Sequence, residues 1–420
     1  MALFIGHCGR NICYVGSSKP IESSFSILPL LDILEINSFN INLKDLITKF
    51  EVRRQKVVPI DFKNNHKHLR VAFIGVYKIA CGIATYSEWL WSEMIPLVGE
   101  YRIFAENASL EVLEEPNVIR CWKRGEPFVD LIKNIREYDP DVIYIQHEWG
   151  IFPIGTHFLS LMTALQQYRT IVTLHSVYSH LDKLTNEAAM PEMIVHTNQA
   201  KDMLVNIKKV SKPVHVIPHG GFPCTSMHRY WNRYGSKHLL LQFGFGFKYK
   251  GWETSLNIVA QLKEKFPDIF FTGLISENGH NKKFHDEYFH ELMELSKSLD
   301  IEQNVGLIRG FQSDEVLDSF IRTNTVAIFP YIRNGNHEVF GCSGAARLAM
   351  SKAIPVVVSD VPLFDDLEGV CFRSENVSGF CSEIEKLFDQ KYKEKQIEKQ
   401  NIFLEENSWE VSAKRYLEIL

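Results

Sequence analysis

The chain has 420 residues, 45% hydrophobic and 23% charged, and its 46 Lys and Arg against 51 Asp and Glu give a net charge of −5. That length exceeds one ordinary core and predicts two domains of roughly 200 residues each. The composition is that of a folded globular protein, and the slightly acidic balance excludes a broad electrostatic footprint for nucleic acid.

Residues 1–69 precede the first strong strand and include the mixed apolar stretch "FSILPLLDILEINSF". They read as an extension of the first domain, a hairpin and a helix, and no chemistry is assigned to them. From residue 71 short β-branched runs alternate with amphipathic stretches. "VAFIGVY", "VIYIQ", "TIVTL", "MIVHT" and "VHVIP" read as strands buried on both faces, with helices at "GIATYSEWLWSEM" and "PFVDLIKNIREY" between them. Buried strands alternating with helices predict a parallel, doubly wound sheet. An aperiodic stretch rich in Gly and aromatics closes the first domain at residue 222, and residues 223–237 read as a linker.

The alternation then restarts. "HLLLQFG", "IFFTGLI", "VGLIRG", "TVAIFPY", "IPVVVSD" and "GVCF" are the strands of a second domain over 238–404. The end, 405–420, carries apolar residues at helical spacing behind a Ser408 cap, so a terminal helix is expected to pack on something. The fold class is therefore α/β, two tandem doubly wound sheets whose switch points face each other across a cleft. The eight cysteines form no C-x-x-C pair and no zinc-type cluster, so a reducing, cytoplasmic compartment and no metal site are expected. No apolar run reaches the ~20 residues of a membrane span, and the N-terminus does not read as a secretory leader. Peripheral contact with a membrane is left open.

Three strand–turn–helix junctions have chemical meaning. In "GCSGAARLAM" Gly341, Cys342, Ser343 and Gly344 free the first-turn amides of a helix, which with its dipole favour an anion. In "FGFGFKYKGWE" Gly244 and Gly246 let the chain turn close to a ligand, and Lys250 offers a point charge for phosphate. In "YKIACGIATYSEWL" Gly82 opens a helix that would face the other two. Each is also explained by tight packing when taken alone. His147, His175 and His219 each follow a strand, where ligands of parallel sheets collect. His175 is preferred, because Thr173 and Ser176 flank it with hydrogen-bonding groups. "DPD" at 139–141 resembles a D-x-D metal motif but lies before its strand, on the wrong side of the sheet.

These pieces, in this order, resemble the GT-B glycosyltransferases and within them the large retaining family GT4, over roughly residues 71–420. The resemblance implies two Rossmann-like domains, acceptor-side then donor-binding, with the last helix crossing back to the first. It also implies transfer of a sugar, with retention and without a metal, from a nucleotide-diphosphate sugar to an acceptor hydroxyl. The implied acceptor is a saccharide, polysaccharide or lipid-linked glycan. His175 would contact the transferred sugar, Lys250 would neutralise the leaving diphosphate, and Glu338 would hold sugar hydroxyls. The donor would further meet Gly82, Gly244, Cys342, Ser343, Gly344 and Arg347. The loop with His147, Glu148 and Trp149 would face the acceptor. One departure stands out: the second acid of the family's E-x7-E motif is missing, with Ala346 or Leu348 in its place. The alternative reading is a non-catalytic nucleotide-sugar-binding partner of another transferase, or a transferase acting on protein or a modified DNA base.

Overall fold

The computed structural model describes residues 3–8, 11–16, 66–107, 115–153, 155–180, 186–224, 238–277, 282–333 and 338–420. Residues 1–62 form one compact unit and Lys63–Leu420 a second. In the first unit, strand β1 (Leu3–Cys8) pairs antiparallel with β2 (Asn11–Gly16), Leu3 opposite Gly16 and Cys8 opposite Asn11. The helix read into the 25–39 stretch lies outside the described residues, as does 225–237 of the linker.

The second unit contains two parallel sheets. The first has seven strands in the order β10 (Val214–Val216), β9 (Met193–Val195), β7 (Arg169–Leu174), β6 (Val142–His147), β3 (Arg70–Gly75), β4 (Glu100–Glu106), β5 (Val118–Trp122). Its central strand shows why these residues form it. Val71 and Phe73 face one core, Ala72 and Ile74 the other, and none is exposed. The chain winds one way from β3 to β5 and then reverses to β6, which puts the switch point between β3 and β6.

The second sheet has six strands, ordered β13 (Val305–Arg309), β12 (Phe270–Ser276), β11 (Leu239–Phe245), β14 (Val326–Phe329), β16 (Val356–Ser359), β17 (Phe372–Ser374). Its switch point falls between β11 and β14. Both sheets are thus doubly wound, and ligands of such sheets bind beyond the strand ends at the switch point.

Two features join the sheets. Strand β8 (Ser176–Tyr178), directly after His175, pairs antiparallel with β15 (Val339–Gly341), directly after Glu338. Gly341 is required there, since a Cβ at that position would lie 2.5 Å from the His175 carbonyl oxygen. The second feature is the chain's end. The Gln390–Glu406 helix packs on the second sheet, where Gln400 Nε2 donates to Ile354 O (2.9 Å) and Oε1 accepts from Val356 N (3.0 Å).

Ser408 then caps the Trp409–Glu418 helix, its Oγ accepting from Val411 N at 3.2 Å. That helix buries Trp409, Ala413, Tyr416 and Leu417 against Tyr86, Leu90 and Trp91 of the first sheet's Gly82–Met94 helix. Tyr144 Oη donates to Tyr416 O (2.7 Å), and the Tyr416 hydroxyl lies 2.9 Å from both Tyr86 Oη and Thr173 Oγ1. Among the described residues no helix is long and apolar enough to cross a membrane.

Candidate active site

A cavity of about 460 Å³ lies between the ends of the two sheets. Its second-sheet wall starts where β11 ends. Gly251 there has φ +70°, and a Cβ would sit 1.8 Å from Pro330 O, so only glycine makes this turn. The turn sets Lys250 at the mouth of the Trp252–Lys263 helix, with its carbonyl accepting from Gln242 Nε2 at 2.8 Å. Lys250 Nζ stands 4.0 Å from the centre of the Tyr331 ring and 5.0 Å from that of Tyr249. No carboxylate lies within ion-pair distance of it among the described residues. The Tyr331 hydroxyl is 3.2 Å from Ser343 Oγ, which accepts from Ala346 N (3.3 Å) and caps the Gly344–Ser351 helix. One tyrosine ring therefore separates a cation without a counter-ion from a helix N-terminus that carries no acid in its first turn.

Cys342, Ser343, Gly344, Gly244 and Glu338 all line this cavity. Glu338 is half-exposed, its carboxylate 3.7 Å from Arg333 Nη1, and its backbone is fixed by Ser179 Oγ accepting from Glu338 N at 2.8 Å. Leu348, in the place of the absent second acid, also lines it. Arg347 does not. It is 2% exposed and turned into the protein, where Nη1 donates to Ser343 O (3.1 Å) and Nη2 pairs with Asp366. The expectation that Arg347 touches the donor is corrected: it lies on the buried flank of the helix with Ala346 and Met350, and it anchors the turn from behind. The Cys342 thiol, pushed well up by burial, donates to the same Asp366 carboxylate at 3.4 Å.

The first-sheet wall begins at Gly82, whose missing Cβ would meet nothing within 4 Å. Packing does not explain that glycine; the open space in front of it is the cleft. His175 directly follows β7, and its Nε2–H donates to Gln146 Oε1 at 2.9 Å while the ring stands edge-on to Tyr86 at 4.5 Å. Burial, with the neighbouring His196 and His147, holds its pKa well below the usual value, so the imidazole is neutral.

Of the three residues expected to face the acceptor, only Glu148 lines the cavity. Its Oε2 accepts from Ser176 Oγ (2.8 Å) and its Oε1 from Trp149 N (3.0 Å), and burial raises its pKa. His147 is instead an interior residue, fully buried among Trp149, Phe152 and Phe158, which depresses its pKa to about 3. Trp149 holds the wall from behind, its Nε1 donating to Ser176 O at 3.1 Å. Two near neighbours in sequence of a lining residue were thus taken for lining residues.

Sequence reasoning missed Tyr86, Trp89, Tyr331 and the lining role of His219, all of which border the cavity. The only local signal was the aromatic content of "TYSEWL" and "IFPY". The "DPD" acids are structural: Asp141 Oδ2 accepts from Arg70 N at 2.7 Å. No group of three His, Cys, Asp or Glu among the described residues is arranged to hold a metal ion.

The buried histidines make stability sensitive to acid. His147 and His196 have pKa values depressed by burial to about 3 and about 4, and those of His175 and His219 are also well depressed. In the unfolded chain each titrates near 6.5. Between about pH 6.5 and 4 the unfolded state therefore binds more protons, and each such histidine subtracts up to about 1.4 kcal/mol per pH unit as pH falls. Urea midpoints measured across that window are expected to drop steadily on acidification and to level off above pH 7.

Two Rossmann-like sheets facing across such a cleft, with the chain's last helix returned to the first sheet, define the GT-B architecture of the nucleotide-sugar glycosyltransferases. Solved structures of this architecture superpose over most of the chain. Sucrose-phosphate synthase from Thermosynechococcus elongatus aligns with a TM-score of 0.65 at 15% identity, over 84% of this chain and 98% of that one. A glycosyltransferase from Rickettsia africae aligns with 0.63 at 14% identity, over 84% and 97%. A UDP-forming α,α-trehalose-phosphate synthase from Burkholderia xenovorans, in complex with glucose-6-phosphate, aligns with 0.63 at 11% identity, over 84% and 99%. No family model and no curated protein matches the sequence.

Proposed function

We propose that the protein is a retaining glycosyltransferase that moves a sugar from a nucleotide-diphosphate sugar to an acceptor hydroxyl. The observation that carries this reading is Lys250 Nζ over the Tyr331 ring at 4.0 Å, with that ring's hydroxyl on the Ser343 cap at 3.2 Å. A diphosphate bridging the two would meet a positive charge at one end and a positive helix terminus at the other.

The bond from the sugar's anomeric carbon to the phosphate oxygen breaks as the leaving group gains charge. Stabilising that charge is usually the largest catalytic term. The acceptor oxygen bonds to the same carbon from the same face, and its proton passes to the departing phosphate oxygen. Lys250 and the helix supply the positive charge, so the reaction needs no metal, and a chelator leaves turnover unchanged. Neutral His175 and the half-exposed Glu338 contact the sugar's hydroxyls.

The GT4 resemblance and the sucrose- and trehalose-phosphate synthase neighbours support this reading. The acceptor is a saccharide or lipid-linked glycan, received at a first-sheet wall of Trp89 and Tyr178 around Glu148. Aromatic faces of this kind stack on sugar rings. The first-sheet lining residues include no lysine or arginine among those described.

The test is a panel of nucleotide sugars and nucleoside diphosphates, without metal, read by thermal shift and by slow donor hydrolysis. A donor that raises the melting temperature and is hydrolysed establishes the transferase and identifies its sugar. A folded sample that responds to none of them sinks this proposal in favour of a non-catalytic role.

A further inference from the structure

His219 has no role in the account above, yet it sits at the anion site. It is 8% exposed and borders the cavity. Its Nδ1–H donates to the Gly220 carbonyl at 2.6 Å, which commits that nitrogen as the donor. Nε2 then points to the first turn of the Gly344–Ser351 helix, 3.5 Å from where a Cβ of Gly344 would stand. Nε2 has no hydrogen-bond partner among the described residues. The ring cannot swing away, because Tyr86 stands edge-on at 4.9 Å and Trp409 lies against it at 5.3 Å. A nine-tenths buried imidazole thus aims an unpartnered nitrogen at a helix N-terminus.

We propose that His219 is a third ligand of the donor's diphosphate, neutral in the empty cleft and protonated on Nε2 when the anion arrives. This rests on the donor reading given above. A neutral imidazole with Nδ1–H committed presents a lone pair at Nε2, which repels a phosphate oxygen. A proton at Nε2 turns that contact into a charge-assisted hydrogen bond.

The groups around it set the balance. Tyr86 comes from the Gly82–Met94 helix, His175 from the end of β7, and His196, 5.5 Å away ring to ring, from the end of β9. Arg347 and the Cys342 thiol come from the anion-binding turn and its helix, both engaged with Asp366. Burial first, then the Arg347 charge and His196, disfavour the imidazolium in the empty cleft. A dianion is the one arrival that reverses this, so its binding draws a proton from solvent. The site then releases its product most readily once that proton is lost again.

The experiment is calorimetric titration of uridine and guanosine diphosphates at about pH 7, in buffers of differing ionisation enthalpy. The terminal phosphate, with a second pKa of about 6, is largely ionised there, and His219→Asn measures the small share that the ligand itself contributes. We expect the wild-type protein to take up clearly more protons per ligand bound than His219→Asn does. The Asn amide stands in for Nδ1–H and keeps the donor to Gly220, so His219→Asn should show only the ligand's share and bind about tenfold more weakly. If His219→Asn fails to fold, His219→Gln serves in its place, read by proton uptake alone. Wild-type binding without proton uptake overturns the proposal whatever the variants do, and so does uptake that survives the substitution undiminished. Neither of these results touches the donor reading. Failure of the wild-type protein to bind either diphosphate overturns the donor reading and this inference with it.

Discussion

Lys250→Ala is expected to cut turnover by about 10²–10³-fold, the range seen when a single group stabilising a developing oxyanion is removed. Nucleoside-diphosphate affinity should fall in parallel, because the same charge meets the ground-state anion. The fold should be unaffected. The side chain lies against aromatic faces in the cleft and has no counter-ion among the described residues, so its loss strands no buried partner there. Steady-state kinetics and diphosphate binding, together with a melting curve, check this. A variant with normal diphosphate affinity would remove Lys250 from the phosphate site and weaken the transferase reading with it.

Arg347 gives the opposite pattern. Its guanidinium is buried on Asp366 and on the carbonyl of Ser343. Arg347→Met leaves that carboxylate with only the Cys342 thiol, and breaking a buried pair on one side costs about 3–5 kcal/mol. Urea unfolding should show a loss of this size, and adding Asp366→Leu should recover much of it by removing the stranded charge. Diphosphate binding per folded molecule should persist, since the guanidinium does not border the cavity. Full stability combined with lost affinity would return Arg347 to the donor site, where the sequence alone had placed it.

That misplacement shows where sequence reading stops. At the 248–251 turn Lys250 was legible, because a lysine placed just before a helix needs no distant partner to be singled out. The glycine that makes the turn, Gly251 at φ +70°, was passed over in favour of Gly244 and Gly246. Strands such as Arg70–Gly75 were legible because burial on both faces leaves an unbroken apolar run. Strand Glu100–Glu106 was not, since Glu100, Arg102 and Glu106 interrupt the pattern at the exposed start and the end of the strand. Arg347 lies one position from the cavity-lining Leu348, and a register of one residue on a helix decides between cleft and core. His147 and Trp149 flank Glu148 in the same way. Tyr86, Tyr331 and His219 converge only through tertiary packing. The three-residue strands β8 and β15 meet across more than 150 residues of chain, and nothing local marks either as a strand.

That short ribbon fixes the mechanics of the cleft. Its backbone hydrogen bonds tie the residues after His175 to the residues after Glu338. A swing of one sheet against the other about this ribbon leaves its ends, next to His175 and Glu338, nearly in place. Displacement grows with distance from an axis. The residues beside the ribbon hold still while the rim, including the half-exposed Tyr249, Phe311 and Ile332, sweeps furthest. Such a hinge lets the rim open without dismantling the geometry at the centre.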